Sequence, residues 1–243
     1  MNQARYAIYY VPRPDTPLAQ FGANWLGRDI ATGEAVAQPI ISDMDGARLL
    51  DITDAPRKYG FHATLKPPFR LAEGCDLNMF DEAIEAFVAA QEPFEVSALE
   101  LAELDGFIAL CPKKTSNTLH QFAENCVRVF DPFRAPFSEQ ELEKRLAAEL
   151  TDKQIKLLKK WGYPYVMSEF RFHMTLTERL KGKERKHLLA ELEPLVKDAL
   201  SGKKWTFDTI ALVVQETPDM SFEVKKFYTF ARHHTRRWPV KKH

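Results

Sequence analysis

The chain has 243 residues, 34 basic and 34 acidic side chains, and a formal charge of zero. A chain of that length buries roughly 70–75% of its unfolded surface in one or two domains and needs no disulfide or metal staple. Its 45% apolar and 28% charged content excludes a disordered or fibrous protein, and the balanced charge argues against a dedicated polyanion binder.

Cys75, Cys111 and Cys126 are odd in number and share no C-x-x-C spacing. This argues against a disulfide framework and a cysteine-based zinc site. Residues 1–5 are polar and show no charged-then-apolar leader, and no run of 18 apolar residues exists. The expectation is a soluble, cytoplasmic protein of a reducing compartment with no membrane span, and a monomer without a cofactor.

Residues 6–11 (Tyr-Ala-Ile-Tyr-Tyr-Val) predict a strand, closed by Pro12 and Pro14. Leu18, Phe21, Trp25 and Leu26 recur at helical spacing over 17–26, and Gly27 stops that helix. Residues 28–56 show no period and read as mostly loop. A strand is predicted over 59–66, ended by Pro67-Pro68 because proline cannot donate to a ladder. Phe80, Ile84, Phe87 and Val88 mark one face of a helix over 77–91. Strands over 94–104 and 107–111 flank Asp105-Gly106, which is hairpin turn chemistry. An amphipathic helix follows over 119–130. Ser138-x-x-Glu141 and Thr151-x-x-Gln154 are capping boxes that open two helices in a stretch, 131–165, that looks inserted. Residues 167–177 read as a strand and 184–200 as a helix that Pro194 should kink. Strands over 206–215 and 222–231 surround Pro218-Asp219. The tail, 232–243, holds three Arg, two Lys and no acid.

The most informative feature is a repeat. Phe61-His62-Ala63-Thr64-Leu65 recurs 111 residues later as Phe172-His173-Met174-Thr175-Leu176, with four of five positions identical. The elements after each copy also correspond. The chain therefore reads as a duplication: an N-terminal lobe, 1–130, the helical insert, 131–165, and a C-terminal lobe, 166–243, together one structural unit.

Strand geometry gives the repeat its chemistry. Side chains alternate faces, so the His and Thr of each His-x-Thr share one face while the apolar neighbours pack on the other. Two lobes face to face would offer two imidazoles and two hydroxyls across a groove. Paired imidazoles suit acid/base work near neutral pH, one taking a proton from an attacking oxygen and the other returning one to the leaving alkoxide. Thr64 and Thr175 could donate to the non-bridging phosphate oxygens. By the same parity Lys66 and Arg171 would share the polar faces. A single His-x-Thr is weak, since a lone strand histidine is more often structural. Two copies in matched context favour a shared site, because buried polar groups without partners cost roughly 1–3 kcal/mol each.

Two His-x-Thr motifs, one per lobe, resemble those of the 2H phosphoesterase superfamily of RNA ligase-like and cyclic nucleotide phosphodiesterase proteins. The stretch Arg57-Lys58-Tyr59-Gly60-Phe61-His62-Ala63-Thr64-Leu65-Lys66-Pro67-Pro68-Phe69, with Arg5-Tyr6-Ala7-Ile8-Tyr9-Tyr10, is similar to the branch associated with phosphonate-utilisation operons. The resemblance covers nearly the whole chain. It implies a bilobal α+β fold, two antiparallel-sheet lobes with flanking helices around a central groove, and no metal requirement. It implies His62 and His173 as acid and base, and Thr64 and Thr175 as phosphate ligands. Lys66, Arg171, Arg57 and Tyr59 would be second-tier substrate contacts. The implied activity is hydrolysis of a cyclic phosphate or small phosphodiester, with a ribose or nucleotide cyclic phosphate of phosphonate metabolism as an attractive substrate. The insert departs from the smallest members and leaves groove width open.

Other motifs read as bland. His233-His234 and His243 could suggest a metal, but H-E-x-x-H is absent, and His120 and His187 fall in helical patterns as solvated side chains. The basic tail could hold an RNA backbone, although a solvated terminus is the commoner case. Phe21, Trp25 and Phe87 fit helix core faces better than base stacking. Neither G-x-x-x-x-G-K-[ST] nor G-x-S-x-G occurs, so P-loop and serine-hydrolase chemistry are unsupported. The alternative to an enzyme is a non-catalytic binder of a phosphorylated ligand or an RNA end.

Overall fold

The computed structural model describes residues 4–200, 202 and 204–231. The basic tail and its three histidines lie outside the described residues. The first strand, β1, is Arg5–Tyr10. Helix α1, Pro17–Leu26, is capped by the Thr16 side chain and stopped by Gly27 at φ 73°, the usual proline-first, glycine-last arrangement. The stretch expected to be loop contains α2, Gly46–Ile52, and α3, Asp54–Tyr59. Each spans about two turns or fewer, too little for a hydrophobic period to show. Then follow β2, Ala63–Phe69; α4, Leu77–Ala89; β3, Phe94–Val96; β4, Leu99–Leu104; β5, Phe107–Pro112; and α5, Asn117–Phe130. The stretch read as an insert carries α6, Glu139–Leu146, and α7, Asp152–Trp161, both opened by fully formed capping boxes. The chain continues with β6, Met174–Thr175; α8, Gly182–Ala199; β7, Trp205–Phe207; β8, Thr209–Gln215; and β9, Glu223–Thr229.

The fold is α+β. An antiparallel four-stranded sheet has the order β2-β1-β8-β9, a three-stranded sheet the order β4-β5-β6, and β3 pairs with β7. Each sheet draws strands from both halves of the chain. A boundary at 131–165 therefore does not separate one sheet from another, and the sequence halves 1–130 and 166–243 are not separate sheets.

Three expected strands differ in extent. The strand β2 runs through Pro67 and Pro68 because it is a sheet edge, and its register steps from Ile8↔Lys66 to Tyr6↔Phe69, passing over both prolines. The expected strand 94–104 breaks after Val96, where β3 leaves to pair with β7. Of residues 167–177 only Met174 and Thr175 enter a ladder, against β5, after a 3₁₀ turn at Met167–Glu169. Asp105 and Gly106 turn the β4–β5 hairpin with φ of 45° and 96°.

Strands β1 and β8 are central and buried on both faces. Tyr6, Ile8 and Tyr10 enter the main core, with Phe80 and Phe87 of α4 and Phe122 and Phe130 of α5. Ala7, Tyr9 and Val11 face the other way, packing with Ala211, Val213 and Phe222. Trp25 belongs to the main core, and its Nε1 donates to the Leu176 carbonyl at 2.8 Å, tying α1 to the second motif. Among the described residues no helix is long and apolar enough to cross a membrane.

Candidate active site

Each motif histidine sits one residue ahead of a strand, His62 before β2 and His173 before β6. The Nδ1 of His62 lies 2.8 Å from the Gly60 carbonyl, and the Nδ1 of His173 lies 2.8 Å from the Arg171 carbonyl. A carbonyl only accepts, so both Nδ1 atoms carry the proton and each neutral ring presents a lone pair at Nε2. The flanking Phe61, Ala63, Leu65, Phe172, Met174 and Leu176 are all buried. The two histidines and two threonines between them are half-buried.

All four polar residues line one cavity of about 510 Å³. Tyr9 and Thr64 reach it from the four-stranded sheet, Phe107 and Thr175 from the three-stranded one. His62 stacks on Tyr9, with ring centroids 3.8 Å apart, and its Nε2 accepts from the Thr64 hydroxyl at 3.1 Å. His173 lies 5.8 Å from the Phe107 ring, and Thr175 has no side-chain hydrogen bond among the described residues. A second cavity, of about 400 Å³, adjoins the first and shares His173, Thr64, Phe107 and Tyr163 with it.

Burial pushes the His62 pKa down to about 4, against the Gly60 hydrogen bond and with help from a charge on His173. Burial also lowers that of His173, opposed by the Arg171 carbonyl, while the Arg171 charge adds to the lowering. Burial therefore favours the neutral form of both rings at pH 7. An unfolded histidine titrates near 6.5. With the folded values below that, the unfolded chain binds more protons as pH falls, so stability rises with pH across the window. We expect the His62 contribution to be complete above about pH 6.5 and lost as pH falls toward 4, at no more than about 1.4 kcal/mol per pH unit. Thermal unfolding of wild type and His62→Gln across pH 4–8 checks this. The difference between the two should change over that window, and parallel curves would contradict it.

Gly60 makes the His62 geometry attainable. Its backbone, at φ 76° and ψ 176°, occupies a region that essentially only glycine adopts. A Cβ there would stand 2.5 Å from Ile30 Cβ. Gly60→Ala should cost at least about 1–3 kcal/mol in a denaturant titration. It should also lower turnover of the folded fraction, since the Gly60 carbonyl aims the ring. Unchanged stability and turnover would show that this turn is not required.

The expected second-tier contacts divide. Tyr59 lines the cavity and stacks on Phe222 at 5.1 Å. Lys66 does not reach it. Tyr9↔Thr64 is followed in the register by Ile8↔Lys66, so one extra β2 residue bulges out and reverses the parity beyond Thr64. Lys66 is thereby fully buried and paired with Asp131 at 2.7 Å, burial having pushed its pKa down to about 8. Arg57 is also structural: its guanidinium donates to the Leu26 and Leu50 carbonyls and to Thr53 Oγ1. Arg171 precedes β6, is exposed and lines the adjoining cavity. The cavity instead gains Arg5, Arg145 and Arg179, with Tyr9 and Tyr163. No local sequence pattern marks these residues, because four separate segments deliver them.

Among the described residues no group of three or more His, Cys, Asp or Glu side chains is placed to share a metal ion. His120 has Glu124 at 3.5 Å, one turn along α5, and is far along the chain from either motif.

The fold and site thus define an α+β protein with two neutral imidazoles in one cavity lined by arginine and tyrosine. Residues 64–223 match the model of a protein family of unknown function, DUF1045, and the chain belongs to that family. It is also similar to two proteins named ribose 1,5-bisphosphate phosphokinase PhnN. One, from Janthinobacterium sp. (strain Marseille), is 42% identical over 179 residues, 74% of this chain and 40% of that protein. The other, from Laribacter hongkongensis (strain HLHK9), is 34% identical over 176 residues, 72% of this chain and 40% of that protein. The chain spans about two fifths of the length of these curated relatives.

Proposed function

We propose that this chain is a two-histidine phosphodiesterase, of the 2H type, that hydrolyses a cyclic phosphate or small phosphodiester on a sugar in phosphonate metabolism. One observation carries the reading. His62 and His173 are oriented by the same backbone contact and line one cavity with both motif threonines.

In this mechanism the Nε2 of one ring takes a proton from water as its oxygen bonds to phosphorus. The other ring, protonated, gives its proton to the ester oxygen as that P–O bond breaks. The threonine hydroxyls donate to the non-bridging oxygens, where charge gathers. Both rings are neutral before substrate arrives. A diester anion between them favours the charged form of one, so the acid is made on binding.

The relatives' name supports a setting in phosphonate metabolism and a phosphorylated ribose as the class of molecule handled. The phosphokinase activity in that name we assign to the three fifths of the relatives outside the match, since the P-loop motif is absent here. Opening a ribose cyclic phosphate leaves a phosphate monoester on the sugar, the kind of compound named for the relatives. The alternative is a non-catalytic holder of a phosphorylated ligand or RNA end, which would use the cavity arginines and leave the imidazoles idle.

Phosphorus NMR of ribose cyclic phosphates and 2′,3′-cyclic nucleotides, in EDTA and without ATP, tests the proposal. A cyclic resonance should give way to a monoester. Folded protein that turns over none of them would leave the binding reading, and activity restored only by a divalent ion would overturn the imidazole mechanism.

A further inference from the structure

On the His62 side of the cavity, Arg5 and Tyr9 of β1, Tyr59 of α3, Arg145 of α6 and Tyr163 beyond α7 come together. Electrostatic interactions link them into one cluster: Tyr9 with Arg5, Tyr59 and Tyr163, and Arg145 with Arg5, Tyr59 and Tyr163. Two observations show that this cluster is incomplete by itself. The Tyr9 hydroxyl is buried and has no hydrogen-bond partner among the described residues, a situation that folded proteins generally avoid. Neither arginine makes a carboxylate ion pair among the described residues, although the Glu141 charge acts on Arg145 without contact. Arg5 Nε donates to Gln215 Oε1 at 2.7 Å, and its guanidinium lies 5.2 Å over the Phe222 ring. Arg145 is half-buried, 4.5 Å over Phe137. The carboxylate one turn before it, Glu141, is held at both oxygens by Arg70, at 2.5 and 2.8 Å. That pair also ties the end of β2 to α6, which fixes where Arg145 stands.

Two guanidiniums supply forked donors matched to phosphate oxygens. The phenols of Tyr9 and Tyr163 add neutral donors, since burial holds Tyr9 well above the usual tyrosine range and Tyr163 at about 12. We infer that Arg5, Arg145 and the hydroxyls of Tyr9, Tyr59 and Tyr163 form a second anion subsite, which holds an uncleaved phosphate monoester of the substrate while the histidine pair acts on the diester. The inference rests on the phosphodiesterase reading for its diester and adds a doubly phosphorylated substrate to it. It also gives the helical insert a role, because α6 supplies one of the two arginines.

Two measurements test it. The first compares kcat/KM for a pentose cyclic phosphate with and without a phosphate monoester at its 5-position. Wild type should prefer the 5-phosphorylated compound, and Arg145→Gln should lower that preference by about 10- to 100-fold. Equal losses on both substrates would place Arg145 on the scissile phosphate and overturn the subsite. The second needs no turnover. Ribose 5-phosphate is titrated calorimetrically into the His62→Ala/His173→Ala protein, with ribose as control. It should bind, and added Arg145→Gln or Tyr9→Phe should weaken it at least about tenfold, with melting temperature recorded for each variant. Absence of binding overturns the subsite even if diesters are hydrolysed. Binding by the double variant, with wild type that hydrolyses no diester, upholds the subsite and ends the phosphodiesterase reading.

Discussion

His62→Ala and His173→Ala should each lower kcat on a cyclic phosphate by about 10²–10⁴-fold, while both proteins stay folded. The rings are half-buried in a cavity wall and each makes one backbone hydrogen bond, so truncation opens space toward the cavity more than into the core. The double variant should fall short of the product of the single losses, because groups acting as a unit are not additive. The wild-type pH–rate profile should be bell-shaped, with limbs that belong to the pair. Burial lowers both rings in the free protein and a bound diester raises one, so the kcat bell should lie at higher pH than the kcat/KM bell. If the histidines are only structural, the variants would lose melting temperature and keep their turnover per folded molecule. Measuring both quantities on each variant separates the cases.

Thr64→Val and Thr175→Val should each cost about 2.7–4 kcal/mol of transition-state stabilisation, the usual loss for one oxyanion donor. Valine keeps the strand shape and removes only the hydroxyl. The two sites are not equivalent. Thr64 donates to His62 Nε2, and Thr175 has no partner among the described residues. Thr64 must therefore leave His62 to serve a phosphate, whereas Thr175 is already free to do so. The loss should appear in kcat for both, measured with saturating cyclic phosphate beside thermal unfolding. Wild-type kcat in both valine variants would remove the threonines from the mechanism.

What the sequence revealed was local. Thr16 and Gly27 bounded α1, Ser138 and Thr151 opened α6 and α7, and Asp105-Gly106 turned a hairpin, each through a contact within a few residues. The repeated Phe-His-x-Thr-Leu was legible for the same reason: the alternation that buries Phe61, Ala63 and Leu65 turns His62 and Thr64 the other way. That alternation failed one step later. A bulge after Thr64 carried Lys66 into the core, and only the partner strand's register reveals it. Arg57 looked like a ligand contact because it lies beside the motif, yet its donors are taken by carbonyls of α1 and α2. Tyr9, Arg5, Arg145 and Tyr163 were invisible as a group, since tertiary packing alone assembles them. The mixing of both halves in each sheet was hidden too, because strand pairing across the chain leaves no spacing to read.

The central claim is that two imidazoles from distant segments act on one phosphorus atom. A crystal structure with vanadate or phosphate bound measures it most directly. The anion should lie between the rings, within hydrogen-bond reach of both Nε2 atoms and both threonine hydroxyls, with the Nε2 atoms roughly 6–8 Å apart. An anion held away from the histidines, or Nε2 atoms about twice that far apart, would contradict it.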